Sequence, residues 1–148
     1  MNTRFLCTIS IISFLLLGIS TSYGEGRDDT FSEDWVVPEE EQSRENPVRY
    51  DVESVSTGKA LFEIHCQSCH GYYAEGTGIV GAVLNKMPAN LLRLSGKQSE
   101  GAFAWKIVEG RGEMPSFRNQ LTEKEIWYLV NFIASLENEA GSLGDANY

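Results

Sequence analysis

The chain has 148 residues, 42% of them hydrophobic, and a net charge of -9, the length of one globular domain with extensions. An acidic excess of this size makes nucleic acid a poor partner. The charge is uneven: eleven acids against three arginines between Glu25 and Ser56 give -8, whereas the ten acids and eight bases from Thr57 to Tyr148 give -2.

Met1 to Gly24 reads as an export signal, with Arg4 as the positive start, Phe5 to Ile19 almost wholly apolar, and small residues at Ser22-Tyr23-Gly24 for cleavage. The apolar run falls short of the about twenty residues that a membrane span needs, so an uncleaved anchor is the alternative. Cys7 lies too early to be a lipid-attachment cysteine at that cleavage position. Glu25 to Val55 is acidic, poor in aliphatic residues and without apolar period, which predicts an extended leader or a strap over the domain surface. Trp35-Val36-Val37-Pro38 is its exception, an apolar cluster suited to docking on the domain or on a partner.

A first helix is expected to open at Ser56 or Thr57, either of which can cap it, with Ala60, Leu61, Phe62 and Ile64 as apolar surface. Gly58 and Phe62 share a face of that helix. A helical glycine costs about 1 kcal/mol relative to alanine, and close approach of another helix would account for it.

The helix runs into Cys66-Gln67-Ser68-Cys69-His70. Two thiols three positions apart with an imidazole directly after them are the signature of covalent c-type haem attachment. Each thiol adds across one porphyrin vinyl group, and the next residue then lies under the iron, which makes His70 the candidate proximal ligand. Half a zinc site and a redox dithiol are the alternatives. Zinc would want two further ligands, and the only other cysteine and histidine are Cys7 and His65. A redox dithiol would want a preceding strand and a βαβ setting, which the sequence does not offer.

Gly71 to Gly81 carries four glycines and predicts an irregular loop. Ala82 to Met87 suggests a turn, and Pro88 to Leu92 a short helix or turn with Pro88 at its start. Ser99 to Glu109 is a better helix, capped by Ser99, stopped by Gly110, and with Phe103, Ile107 and Trp105 as candidates for its buried side. In Gly110-Arg111-Gly112-Glu113-Met114-Pro115 the glycines and proline leave Met114 on a constrained loop, 44 residues beyond His70. A thioether there can reach the iron opposite His70, and Met/His ligation raises the reduction potential; a core methionine is the alternative. Met87 competes, but only 17 residues separate it from His70, little chain with which to cross a haem. Thr122 and Glu125 form a capping box. The helix they open carries a broad apolar stripe of Ile126, Leu129, Val130, Phe132, Ile133 and Leu136 and is expected to end near Glu137 or Asn138. Gly141 to Tyr148 reads as a frayed tail.

In this order of elements the chain resembles the class I monohaem cytochrome c family over Ser56 to Leu136. The resemblance implies an all-α, small cytochrome c fold packed around one covalently attached haem c. Its domain is residues 56–138, with a signal or anchor at 1–24, an acidic leader at 25–55 and a flexible tail at 139–148. Cys66 and Cys69 would form the haem thioethers, with His70 and Met114 as proximal and distal iron ligands. Gly58 and Phe62 would meet Leu129 and Phe132 where the first and last helices cross. Leu91, Leu94, Phe103, Ile107 and Phe117 are candidates to pack round the porphyrin, and Arg93, Arg111 and Arg118 to reach its propionates. The implied function is one-electron transfer in the periplasm or on the outer face of the cytoplasmic membrane, since c-type haem is attached outside the cytoplasm. The protein would be a small carrier or a relay subunit of a larger oxidoreductase rather than an enzyme, and would work with redox partner proteins. A five-coordinate haem enzyme or gas sensor with an open distal site is the alternative. The long acidic leader and the lack of a lysine-rich ring depart from mitochondrial relatives and leave the docking partner open. If the leader steers docking to a basic partner, association slows as salt rises.

Overall fold

A computed structural model describes residues 35–144, with side chains through Glu137. The elements in chain order are α1 (Glu39–Gln42), α2 (Val52–His65), α3 (Gln67–His70), a 3-10 turn (Gly81–Val83), α4 (Leu91–Leu94), α5 (Glu100–Glu109) and α6 (Glu123–Gly144). Among the described residues there is no strand, only one isolated antiparallel bridge between Arg111 and Met114. The fold is the all-α class that the sequence predicts.

α2 and α6 cross at Gly58. A Cβ there would overlap the Tyr128 carbonyl oxygen and meet Phe132 Cβ at 2.9 Å, so no larger residue lets the helices approach this closely. Phe62, one turn on, stacks tilted on Phe132 at 5.1 Å between ring centres. Ser54, Gly58 and Phe62 are the buried residues of α2, a spacing of four that keeps them on one face. The facing stripe of α6 buries Ile126, Leu129, Val130, Ile133 and Leu136, as its period demands. α4 and α5 also pack on α6, and Phe103, Ile107 and Phe117 join the same core.

Several boundaries differ from expectation. α2 begins at Val52, four residues before Ser56, because Asp51 is the cap: its carboxylate accepts from Ser54 N at 2.8 Å while Ser54 Oγ accepts from Asp51 N at 3.0 Å. α4 is capped by Asn90, whose side chain accepts from Arg93 N at 2.9 Å, and not opened by Pro88. α6 continues to Gly144, past the expected end at Glu137 or Asn138, since Asn138-Glu139-Ala140 contains no helix breaker. Ser99 caps α5, and Thr122 with Glu125 boxes the start of α6, as expected.

Residues 35–51 are not loose. Trp35 and Val37 are buried, and α1 sits on the start of α5 at Gly101, where a Cβ would meet the Arg44 carbonyl oxygen at 2.8 Å. Arg44 pairs with Glu123 and lies 5.2 Å over the Trp127 ring. Asn46 Nδ2 donates to Asn131 Oδ1 at 2.7 Å, and Asn131 Nδ2 donates to Arg49 O at 3.1 Å and Ser54 Oγ at 2.9 Å. One fully buried amide thus ties the strap, α2 and α6 together. The signal or anchor at 1–24, Cys7, the first part of the leader at 25–34 and the last four tail residues lie outside the described residues.

Candidate functional site

The site begins where α2 ends. Cys66 closes α2 by donating its N–H to Phe62 O at 2.8 Å, and the chain turns at once into α3, with His70 N donating to Cys66 O at 2.9 Å. This tight succession sets Cys66, Cys69 and His70 along one cavity. The His70 Nδ1 lies 3.0 Å from Ala89 O. A carbonyl only accepts, so Nδ1 carries the proton and Nε2 keeps its lone pair, the tautomer a metal-ligating imidazole needs. Burial holds the His70 pKa below its ordinary value despite the opposing hydrogen bond to Ala89, which keeps the ring neutral at pH 7. Phe62 supports the ring from 6.5 Å.

Burial, with the neighbouring Cys69 as the smaller cause, pushes the Cys66 thiol up to about 12. This surrounding suits an uncharged sulfur, as in a thioether, and disfavours the free thiolate of a redox dithiol. Among the described residues no group of three or more His, Cys, Asp or Glu side chains gathers into a metal site, so the zinc alternative finds no second half there.

The facing segment is the turn from Arg111 to Met114. Gly110 ends α5 at φ 64, and the Arg111 and Met114 backbones exchange hydrogen bonds at 2.9 and 3.0 Å. Met114 is half-buried against the core; Met87 is 48% exposed. Both line the main cavity, but only Met114 also lines the second. Glu113 joins the two segments, its carboxylate accepting from Asn85 N at 3.2 Å and Lys86 N at 3.1 Å.

The main cavity has a volume of about 510 Å³ and the second, adjoining one about 50 Å³; Trp35, Cys66, His70 and Met114 line both. Leu91, Leu94 and Ile107 line the smaller cavity and Phe117 the larger, whereas Phe103 lines neither and serves the helical core. Of the three arginines, Arg111 lines the main cavity, Arg118 pairs with Glu109 away from it, and Arg93 is exposed on α4. Two lysines that no sequence pattern singles out also reach the cavities, Lys86 the larger and Lys106 the smaller. His65 lines the larger as well, edge-on to Phe117 at 6.0 Å.

A haem c fits these residues. An open, largely apolar space lies between two thiols with a neutral imidazole and a loop-borne thioether, and cationic side chains stand at its border where propionates need partners.

Comparison with known proteins agrees. The family described as cytochrome c oxidase, cbb3-type, subunit III matches residues 53–133. The chain is 29% identical to cytochrome c6 of Microcystis aeruginosa over 76 residues, 51% of this chain and 89% of that protein. It is 28% identical to cytochrome c6 of Leptolyngbya boryana over 78 residues, 53% and 87% of the two chains. Among solved structures, a chain of the Kuenenia stuttgartiensis reducing HAO-like protein complex shares the fold with a TM-score of 0.54 at 24% identity. That match covers 61% of this chain and 46%, about half, of the other.

Proposed function

The chain belongs to the family described as cytochrome c oxidase, cbb3-type, subunit III, and from that premise we propose a one-electron carrier of the cell envelope with its haem iron held between His70 and Met114. It is a monohaem class I cytochrome c; its cofactor is haem c, and its chemistry is haem-based electron transfer with redox partner proteins. The observation that carries the ligand reading is that His70 and Met114, on opposite segments of the chain, both line both cavities of one crevice.

A bound haem c supplies a one-electron iron couple. The chain's residues set the conditions for it. Cys66 and Cys69 anchor the group, and Ala89 fixes the His70 tautomer and ring angle through Nδ1. The bridge between Arg111 and Met114 fixes the backbone from which the Met114 side chain reaches the cavities, so little has to move when the charge changes. Core side chains such as Phe62, Ile107 and Leu129 keep water from the smaller cavity, and a drier site favours the less charged oxidation state.

Placement in the cell envelope is supported by the N-terminal pattern of charge, apolar run and small residues. No helix among the described residues is long and apolar enough to cross a membrane. Service to a larger oxidoreductase, as the family's description and the neighbour's complex suggest, is the variant of this reading that differs only in partner. The ligand set is tested by replacing each methionine in turn. Met114→Ala is expected to lose the weak far-red band of sulfur ligation in the oxidised protein and to bind CO when reduced, while Met87→Ala keeps the wild-type spectrum. The reverse pattern would make Met87 the ligand.

A further inference from the structure

The family match begins at residue 53, so the strap from Trp35 to Asp51 is an addition to the domain. It is fastened at three places: α1 on the start of α5, Arg44 on Glu123 and Trp127, and Asn46 on Asn131. These anchors fix where its first described residues land. Trp35, 8% exposed, lands in the crevice, where it lines both cavities and meets Trp105 edge-on at 6.4 Å.

Two cations flank its ring. Lys106 Nζ lies 5.5 Å from the ring centre and the Arg111 guanidinium 5.9 Å, both within cation–π range. Arg111 is also the residue that closes the turn carrying Met114, through two backbone hydrogen bonds. The Glu113 carboxylate ties that turn to Asn85 and Lys86 on one side, and Met114 rests on the core, but its tip at Gly112 is open. Gly110 and Gly112 stand at φ 64 and 60, and a Cβ on Gly112 would meet nothing within 4 Å.

We infer that Trp35 is a positioning residue for Met114: the strap brings an aromatic ring to the family domain, and that ring holds the Arg111–Met114 turn against the crevice. The inference rests on the reading of Met114 as an iron ligand. A ring that merely filled space in the core would affect stability without touching coordination, so the test reads coordination.

The full-length holoprotein is compared with Trp35→Ala, Trp35→Phe, Val37→Ala and Met114→Ala. Val37 is a buried strap residue that lines neither cavity of the crevice. Reduced Trp35→Ala is expected to bind CO at a rate at least ten-fold above the detection limit under which wild type shows no change, and its oxidised far-red band to fade at a lower temperature. Trp35→Phe restores most of both, and Val37→Ala matches wild type. Wild-type CO resistance in folded Trp35→Ala overturns the inference, as does equal opening in Val37→Ala, which would reduce the effect to a loosened strap. Should Trp35→Ala yield no folded holoprotein, Trp35→Leu, which keeps apolar bulk but offers the cations no ring, is read in the same way. Met114→Ala separates the two levels. If it leaves band and CO resistance intact, the ligand reading fails; if it abolishes both while the Trp35 variants match wild type, only the positioning role fails.

Discussion

Asn131 is the residue on which the strap depends. Its amide is fully buried on the inner face of α6 and bonds Asn46, Arg49 and Ser54, which come from two other segments. In Asn131→Ala those partners lose their bonds inside the protein, a loss that costs about 1–3 kcal/mol. The unfolding free energy of the holoprotein is therefore expected to fall by that amount, read as a lower denaturant midpoint at an unchanged slope. A change within about 0.5 kcal/mol, the range of an ordinary surface substitution, would mean that water replaces the amide without loss. The contrast with Cys66, Cys69 and His70 is instructive. Their chemistry depends on spacing within five consecutive residues, so the sequence displays it. The bonds of Asn131 join residues 77 to 85 positions apart, and an asparagine in an apolar stripe gives no sign of its partners.

At the scale of elements, the two long helices begin with reciprocal caps whose acids titrate. Asp51 is held below its ordinary 3.8, chiefly by the Ser54 backbone N–H, and Glu125 below its ordinary 4.5, chiefly by the Thr122 backbone N–H. A lowered folded pKa means that the unfolded chain takes up the proton first as pH falls. The stability these caps add is complete above the ordinary values and is lost as pH drops through the lowered ones. Thermal midpoints measured from pH 7 to pH 3 are expected to fall less steeply in Asp51→Asn than in wild type, the difference opening below about pH 4. Parallel curves would show that the cap charge does not contribute. The Thr122 box was legible because threonine and glutamate stand directly before an apolar stripe. Asp51 with Ser54 carries a similar signal, but the acidic run around it hides a single capping aspartate. α1 and the docking of Trp35 were legible only as an apolar cluster of open destination, because what fixes them lies on α5 and α6. The loop around Met114 marks it in the sequence, whereas the clamp of Glu113 onto Asn85 and Lys86 joins two loops with no periodic pattern between them.

For the whole molecule, about eighty residues match the family domain, a size at which an apolar core alone gives marginal stability. The crevice lies where that core would otherwise close, so cofactor and fold support one another. The strap completes the crevice from outside the family domain, with Trp35 lining both of its cavities. The central claim, a single haem c with both axial positions filled by His70 and Met114, is tested most directly by the absorption spectrum of the purified holoprotein, oxidised, then reduced, then exposed to CO. The account predicts a c-type spectrum, a weak far-red sulfur band in the oxidised state, and no change on adding CO. A five-coordinate spectrum with rapid CO binding would contradict it and mark the protein as one that works on ligands at an open iron.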